Sequence, residues 1–216
     1  IFIEPIQGEG GIHQATKEFI KKARALCDKF DSLLILDEVQ TGIGRTGTLF
    51  GYEHYLPVEP DVVTLAKGLG GGMPIGAVLL KEKYSDLLGP GEHASTFGGN
   101  PVCCSAALAV LDVIDKENIL QKVKHNGEYL RNELGKLKSK HKIIKEVRGM
   151  GLLNGIEINI QAKALVNELI KEKIISVPAG TDVVRFLPPL TVEIKHIDIL
   201  IDTLDKILNR FETADK

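Results

Sequence analysis

Short apolar runs that alternate with helical segments are the feature that most constrains how this chain folds. The run Leu33–Leu36 is continuous and ends at Asp37, and the runs Val62–Leu65 and Ala77–Leu80 have the same character. Continuous apolar runs of this length are typical of strands buried on both faces. A helical spacing of apolar residues precedes the first run, at Phe19, Ala23, Leu26, Cys27 and Phe30. The alternation predicts an α/β protein with a parallel sheet covered by helices.

The pattern changes from about Asn118 to longer and more charged helices. A first helix carries Leu120, Val123, Leu130, Leu134 and Leu137 on one face. We then expect the elements of a smaller α+β domain: a strand near Leu152–Ile158, a helix over Ala162–Lys173, strands near Ile174–Val177 and Val183–Leu187, and a last helix from Ile197 to Phe211. The sequence therefore predicts two domains, residues 1–117 and residues 118–216.

The first residues, Ile1-Phe2-Ile3-Glu4-Pro5, have the character of a strand already under way, and no initiating Met precedes them. We therefore expect residues 1–117 to be the later part of a larger domain whose sheet is incomplete on its N-terminal side. An incomplete sheet exposes strand edges and apolar faces. We expect the isolated chain to be poorly soluble for that reason.

Composition excludes several classes of function. The chain has 216 residues, 44% of them apolar and 26% charged, with a formal net charge of −2, as in ordinary soluble globular proteins. No stripe of Lys and Arg indicates nucleic-acid binding, and no apolar run is long enough to predict a membrane span or a signal peptide. The odd number of cysteines, with Cys103 and Cys104 adjacent in an Ala-rich helical stretch, favours a cytoplasmic protein without disulfides.

Two charged residues follow buried strands and precede glycine-rich turns. Asp37 comes before Gly42–Gly47, and Lys67 comes before Gly68–Gly72. An open α/β sheet keeps its binding crevice at such strand ends. The structural alternative for Asp37 is a residue that only caps a surface turn. A lysine at such a position is expected to be desolvated and reactive, as Schiff-base chemistry requires.

Three other patterns indicate no site. Gly42–Gly47 matches the dinucleotide-binding pattern GxGxxG, with Asp61 near the offset of a ribose-binding acid, but the glycines do not directly follow the strand and no helix pattern follows them. The six histidines lack metal-ligand spacing, so we predict no metal site and expect most of them to be solvated. Cys103 and Cys104 have the character of small helix-packing residues rather than catalytic thiols.

Five motifs are spaced along the whole chain: EPIQGEGG (Glu4–Gly11), LDEVQTGIGRTG (Leu36–Gly47), AKGLGGGMPIGA (Ala66–Ala77), STFGGNP (Ser95–Pro101) and VRFLPPL (Val184–Leu190). In this order they resemble the class III aminotransferases, and in particular the acetylornithine aminotransferase branch. The resemblance implies fold type I and the cofactor pyridoxal 5′-phosphate (PLP), with this chain as the carboxyl-terminal half. The family's phosphate cup and ring-stacking aromatic residue are expected upstream of Ile1.

The resemblance also implies roles for residues that follow the first two strands. Lys67 is the residue that binds PLP covalently. Asp37 lies against the pyridine nitrogen of PLP and keeps it protonated, which makes the ring a better electron sink. Val39 packs on one face of the ring, and Gln40 hydrogen-bonds its phenolic oxygen.

Further roles implied by the resemblance concern the partner subunit and the substrates. Thr96, with Ser95 beside it, contacts the cofactor phosphate of the neighbouring subunit, so the active site belongs to a homodimer. Arg185 receives the α-carboxylate of glutamate or 2-oxoglutarate, for which a planar two-pronged donor is suited. Glu9 pairs with this arginine when an ω-amine substrate occupies the site. Glu4 is expected only to close a strand and support the site.

The reaction implied by the resemblance is a ping-pong transamination. It moves the terminal amino group of N-acetylornithine to 2-oxoglutarate, a step of arginine biosynthesis. Ornithine, succinyl-diaminopimelate and 4-aminobutyrate stay open as donors. Two further alternatives are an aminomutase or racemase of the same fold and a non-catalytic relative, against which the intact Lys67, Asp37 and Arg185 argue.

Overall fold

The computed structural model describes residues 1–214. These residues form two compact units, of which the first comprises Ile1–Ile6 and Ala15–Leu120, and the second comprises Gln7–Gln14 and the residues from Gln121 onward. The sequence prediction had placed segment 7–14 in the first unit. The segment belongs to the second unit because Arg185 and Arg148 hold its carbonyl groups at Gly8 and Gly11.

The strands and helices, in chain order, are as follows. The strands are β1 (Phe2–Ile3), β2 (Ile6–Gln7), β3 (His13–Gln14), β4 (Ile35–Asp37), β5 (Val62–Leu65), β6 (Ala77–Leu80), β7 (Ile144–Met150), β8 (Leu153–Ile158), β9 (Val177–Ala179) and β10 (Val183–Phe186). The helices are α1 (Lys17–Lys29), α2 (Pro101–Lys116), α3 (Ile119–Lys140), α4 (Ala162–Lys171) and α5 (Ile194–Ala214). Short 3₁₀ helices cover Gly51–Tyr55, Lys67–Gly70 and Glu82–Leu87.

The first unit contains a four-stranded sheet with the order β1-β4-β5-β6. Pairing is parallel between β1 and β4 and between β4 and β5, which agrees with the predicted α/β class. The prediction for β6 was wrong in two respects, because this strand runs antiparallel to β5 and its Val78, Leu79 and Leu80 are exposed by 55%, 44% and 37%. Among the described residues β6 pairs with β5 alone, so no strand is hydrogen-bonded to its outer edge.

Helix α1 covers the first sheet with a narrower face than the sequence predicted. Its amino end is capped by Thr16, whose hydroxyl accepts a hydrogen bond from the Phe19 amide. It buries Ile20, Ala23 and Cys27, and the last two pack in one cluster with Leu34 and Leu36. The predicted face included Phe19, Leu26 and Phe30, which are exposed. Phe19 and Leu26 each lie one position before a buried residue, on the adjacent side of the helix, and Phe30 is the residue that caps its carboxyl end.

The second unit has an antiparallel sheet with the order β7-β8-β10-β9. Helices α3, α4 and α5 contribute to one buried core with this sheet, as expected for a small α+β domain. Its fully buried members include Leu130, Leu134, Ile156, Ile158, Leu165, Leu169, Val184, Leu204 and Leu208. Strand β7 was not predicted, because polar residues interrupt its apolar alternation.

One histidine of the second unit departs from the expected solvated state. His141 is buried, with Nε2 at 2.7 Å from Asp205 Oδ1 and Nδ1 at 3.0 Å from Glu212 Oε2. Hydrogen bonds from Lys140 and His141 hold the pKa of the Asp205 carboxyl below its usual range, and the bond with His141 does the same for the pKa of Glu212. These contacts tie the end of α3 to α5.

Gly127 of α3 lies directly against the turn between β7 and β8. A Cβ atom built at this position would lie 2.0 Å from the Gly151 carbonyl oxygen. Gly151 itself has a φ of 54°. The helix and the turn are therefore packed backbone to backbone, without room for a side chain.

This close packing predicts opposite effects for two glycine substitutions in the same helix. Gly127→Ala should lower the free energy of unfolding by about 3 kcal/mol, since an added methyl group in a filled space forces the backbone apart. Gly135→Ala is the matched control, because nothing lies within 4 Å of a Cβ atom there. It should raise the free energy of unfolding by about 1 kcal/mol through helix propensity. Urea denaturation measures both, and equal effects would contradict the close packing.

Candidate active site

The register between β4 and β5 places Asp37 and Lys67 at the same edge of the first sheet. Asp37 pairs with Thr64, and the amide of Glu38 donates to the Thr64 carbonyl over 2.9 Å. Lys67 follows Thr64 by three residues and starts a 3₁₀ turn. The carboxyl ends of neighbouring parallel strands form the binding crevice of open α/β sheets. The two residues selected from the sequence are therefore neighbours at the position where such a sheet binds its ligand.

The carboxylate of Asp37 uses its two oxygens differently. Oδ1 accepts a hydrogen bond from the Val39 amide at 2.9 Å and one from the Thr64 hydroxyl at 3.3 Å. The bond to Val39 is an Asx turn, so the structural alternative of a turn-capping aspartate accounts for Oδ1. Oδ2 accepts no hydrogen bond from residues 1–214. One oxygen is held by the protein, and the other can accept a bond from a ligand.

Lys67 has an unusual backbone conformation. Its φ of 43° lies in the left-handed region, which costs a residue with a Cβ atom about 1–3 kcal/mol and is characteristic of functional sites. The expected desolvation of its side chain was wrong, because Lys67 is exposed. The glycines that follow it, Gly68, Gly71 and Gly72, carry no side chains that could cover the amine.

Glu38 is a buried carboxylate that sequence reasoning missed. Only 1% of its surface is exposed, and burial raises the pKa of its carboxyl. It accepts hydrogen bonds from the Thr41 hydroxyl at 2.6 Å and from the amides of Gly51 and Tyr52 at 2.7 and 2.6 Å. These bonds fix the loop that carries the half-buried Val39 and Gln40. The only sequence feature that could have indicated this role is the position of Glu38, a second acid directly beside Asp37.

Ser95 and Thr96 lie in an exposed segment that leads into α2. Ser95 lines a cavity of about 800 Å³ in the first unit, together with Thr64 of β5. Neither residue forms a hydrogen bond with Asp37 or Lys67 in the described part of the chain. Glu4, the supporting residue, is half-buried directly after β1.

Arg185 and Glu9 form an ion pair in the second unit. Arg185 lies in β10 between β8 and β9 and is 6% exposed. Its Nη1 donates to the Gly8 carbonyl over 2.7 Å, and its Nη2 lies 2.8 Å from Glu9 Oε1. The Glu9 side chain itself is 69% exposed. One guanidinium therefore holds the backbone of Gly8 and the side chain of Glu9 through different nitrogens.

A second arginine, also missed from the sequence, anchors the same loop. Arg148 donates from Nε to the Gly11 carbonyl over 3.1 Å and pairs with Glu157 at 2.6 Å. Ile12 is buried with a φ of 60°, and its amide bonds the Gln7 carbonyl at 3.0 Å. The loop around Glu9 is therefore held at its backbone by two arginines and by one buried apolar side chain.

Asp61, considered above as a ribose-binding acid, has a structural role at the opposite end of the strands. Its Oδ2 accepts hydrogen bonds from the Leu34 amide at 2.9 Å and from Arg24 at 2.6 Å. Burial opposes the charge, but these two donors keep the pKa of Asp61 below its usual value. Bends and the short 3₁₀ helix Gly51–Tyr55, not an α-helix, follow Gly42–Gly47, so the segment lacks the α-helix start that a dinucleotide site needs.

Comparison with known proteins decides the family. The aminotransferase class-III family matches residues 1–208. The chain belongs to this family. An acetylornithine aminotransferase of Caldanaerobacter subterraneus is 50% identical over 210 residues, which are 97% of this chain and 53% of that protein. One of Nostoc sp. is 51% identical over 213 residues, which are 96% of this chain and 49% of that protein. The chain thus spans about half the length of the curated relatives it matches.

Solved structures give the same result for the fold of this class III chain. The ornithine aminotransferase of Toxoplasma gondii superimposes with a TM-score of 0.92 at 38% identity, covering 99% of this chain and 52% of that one. The acetylornithine aminotransferase of Elizabethkingia anophelis gives 0.90 at 39%, covering 97% and 53%. Class III aminotransferases depend on PLP, and a second Toxoplasma structure is described with partial occupancy of PLP at its active site. The predicted family, fold and cofactor class are confirmed.

Residues 1–214 of this class III chain include neither a candidate membrane-spanning helix nor a candidate metal cluster. No helix in that range is both long and apolar enough to cross a lipid bilayer. The same residues contain no group of three or more His, Cys, Asp or Glu side chains arranged to hold a metal ion.

The strained backbone at Lys67 predicts an unusual order of stability for two substitutions. Glycine adopts a positive φ without a Cβ penalty, so Lys67→Gly should have a free energy of unfolding about 1 kcal/mol higher than Lys67→Ala. Lys163, which is exposed in α4, is the matched control. There the order should reverse, because glycine destabilises a helix by about 1 kcal/mol relative to alanine. Urea denaturation of the four variants is the measurement, and the same order at both positions would contradict the strain.

Proposed function

We propose that this chain carries the catalytic lysine of a PLP-dependent aminotransferase, with Lys67 as the residue that binds the cofactor covalently. The observation that supports the proposal is the parallel pairing of β4 with β5, in which Asp37 pairs with Thr64, three residues before Lys67, at one edge of the sheet. The side chains present fit this cofactor. Lys67 is exposed, and Asp37 has a carboxylate oxygen that accepts no hydrogen bond from the described residues, as a partner of a protonated ring nitrogen requires.

Four residues of the first unit would hold PLP. Lys67 provides the covalent link, Asp37 keeps the ring nitrogen protonated, Val39 packs on the ring face and Gln40 donates a hydrogen bond to the phenolic oxygen. When bound, PLP supplies an electron sink for the bonds around the substrate's amino-bearing carbon. Glu38 supports this set, because its three hydrogen bonds fix the loop of Val39 and Gln40.

Lys67 would have a second role, as a general acid and base. Its Nζ atom would accept a proton from the substrate's amino-bearing carbon as general base and later give up that proton as general acid. The glycine-rich surroundings leave room for the amine to move. Nearby side chains contribute orientation and charge, and the proton transfer belongs to Lys67 alone.

We propose an ω-amine donor and 2-oxoglutarate as acceptor. Arg185 would bind the α-carboxylate of 2-oxoglutarate, for which its planar guanidinium is suited. Glu9 would neutralise Arg185 while a donor without a carboxylate at that place is bound, and their 2.8 Å ion pair supports this role. Sequence identities of 50% and 51% to two acetylornithine aminotransferases support N-acetylornithine as the donor. The reaction would then be a step of arginine biosynthesis.

Ornithine is the second candidate donor. The solved ornithine aminotransferase of Toxoplasma gondii, at a TM-score of 0.92, supports it. The two donors differ in the group at the far end, which is an acetamide in N-acetylornithine and a free ammonium in ornithine. Initial rates of glutamate formation with each donor separate these two candidates. Glutamate formation itself distinguishes a transaminase from a racemase or an aminomutase.

We also propose a homodimer in which Ser95 and Thr96 contact the cofactor phosphate of the partner subunit. Both residues are exposed, and so is Phe97 beside them, at 81%. An exposed aromatic residue beside hydroxyl groups is suited to a protein interface that also provides hydrogen bonds to an anion. Analytical ultracentrifugation tests the dimer.

The covalent link predicts a specific chemical product. Borohydride reduction of the PLP-treated protein should attach the cofactor to the peptide that contains Lys67, as seen by mass spectrometry. Lys67→Ala should abolish this product, whereas Lys163→Ala, at another exposed lysine, should leave it unchanged. A reduced adduct that persists in Lys67→Ala at the wild-type yield would refute the assignment.

The Glu9–Arg185 pair predicts a change of donor preference. In the PLP-loaded enzyme, Glu9→Gln leaves the charge of Arg185 uncompensated, which favours donors with a carboxylate at that place. The ratio of kcat/KM for N-acetylornithine to that for glutamate should fall about tenfold, which corresponds to 1.4 kcal/mol. Glu146→Gln is the matched control, because Glu146 pairs with Arg148 instead. An unchanged ratio in Glu9→Gln would argue against the exchange of carboxylates at Arg185.

A further inference from the structure

We propose that Thr64 is a positioning residue for Asp37: its hydroxyl, with the Val39 amide, occupies Oδ1 of the carboxylate and leaves Oδ2 to the cofactor's ring nitrogen. The inference rests on the proposed function, because it concerns the residue that would keep that nitrogen protonated. It adds a side chain from the neighbouring strand to the site. The three atoms involved, Thr64 Oγ1, Val39 N and Asp37 Oδ1, are joined by bonds of 3.3 and 2.9 Å.

Thr64 is the polar residue in an otherwise apolar strand. Its neighbours Val62, Val63 and Leu65 are buried, and a strand buried on both faces normally consists of such residues. A hydroxyl in this environment needs a hydrogen-bond partner, and Asp37 Oδ1 is that partner. The presence of threonine in the strand is therefore explained by the carboxylate on the next strand.

The backbone around Thr64 leaves its hydroxyl little freedom. Thr64 pairs with Asp37 on one side and with Val78 on the other, so both of its strand ladders are formed. The side chain is β-branched, which restricts rotation about χ1. Residues that pair directly across a sheet point to the same face, so the hydroxyl and the carboxylate meet there.

The two donors make the carboxylate oxygens inequivalent. Val39 is two residues from Asp37 in the chain, and Thr64 is on a different strand, so the donors approach Oδ1 from separate segments. Together they fix the plane of the carboxylate. Without the hydroxyl, Oδ1 keeps only the Val39 amide, and the carboxylate can rotate and exchange its oxygens. A ring nitrogen would then meet a less ordered acceptor.

The test compares Thr64→Val, which removes the hydroxyl and keeps the shape, with Thr64→Ser, which keeps the hydroxyl. In Thr64→Val the Kd for PLP should rise about tenfold, which corresponds to 1.4 kcal/mol and lies near the lower limit for a hydrogen bond to a charged group. The resonance of ring-¹⁵N-labelled PLP should move toward its unprotonated position. Thr64→Ser should stay within about twofold of the wild-type Kd, which is roughly 0.4 kcal/mol.

Two further measurements make the result specific. The Val39 amide resonance of the protein without PLP should move in Thr64→Val and stay in place in Thr64→Ser, because this amide shares Oδ1 with Thr64. In an Asp37→Asn background, Thr64→Val should no longer raise the Kd, since coupled residues are not additive. Thr64→Ala removes the same hydroxyl and should reproduce both effects if the valine variant does not fold.

The outcomes separate this inference from the proposed function. A wild-type protein without a reducible adduct at Lys67 would overturn the proposed function and the cofactor role of Thr64 with it. A wild-type adduct combined with wild-type values of the Kd, the ¹⁵N resonance and the Val39 amide in Thr64→Val would overturn the inference alone. Equal effects of Thr64→Val in the wild-type and Asp37→Asn backgrounds would also overturn it.

Discussion

Strands β4 and β5 pair in parallel, and their register decides which side chains meet at the carboxyl edge of the first sheet. A slip by one residue would turn every side chain of a strand to the opposite face. Two features resist such a slip. Leu34 and Leu36 are fully buried, and at the amino end of the strand pair Asp61 binds the Leu34 amide and Arg24. The acid at one end of the strands thus keeps Asp37 and Thr64 aligned at the other.

In the second unit, charged side chains hold segment 7–14, which has few apolar residues to bury. Arg185 and Arg148 each bond a backbone carbonyl of segment 7–14, and each also pairs with an acid. A buried guanidinium is costly unless its donors are satisfied. Carbonyl groups satisfy part of the requirement without a second charge. Arg185 is therefore held by a fixed neutral partner at Gly8 and by one exposed acid, Glu9.

Much of the fold could be predicted from local pattern, and the failures have physical causes. The bounds of β5 and β6 follow from the apolar runs Val62–Leu65 and Ala77–Leu80. The exposure of β6 and its antiparallel direction could not follow, because a run of apolar residues does not reveal its partners. Strand β7 was missed since Glu146 and Arg148 interrupt its alternation, and their ion pair is visible only in three dimensions.

The candidate site also combines residues that local sequence pattern reveals with residues that only three-dimensional contacts reveal. Asp37 and Lys67 could be selected because each lies at the carboxyl end of a buried apolar run, a property of the sequence itself. Thr64, Glu38 and Arg148 act through hydrogen bonds to segments distant along the chain. Single-sequence reasoning has no access to such pairs. His141 was missed for the same reason, since its acids lie at Asp205 and Glu212.

The two terminal nitrogens of Arg185 bind different partners, and this has a consequence for the rate of carboxylate exchange. Because Nη1 keeps the Gly8 carbonyl while Nη2 binds Glu9, the acid can depart by rotation about its own side-chain bonds, with the loop still anchored. Rotamer changes of exposed side chains take picoseconds to nanoseconds, whereas loop motions take about nanoseconds to microseconds or longer. In the proposed enzyme, solvent viscosity would therefore have little influence on the exchange of one carboxylate for another.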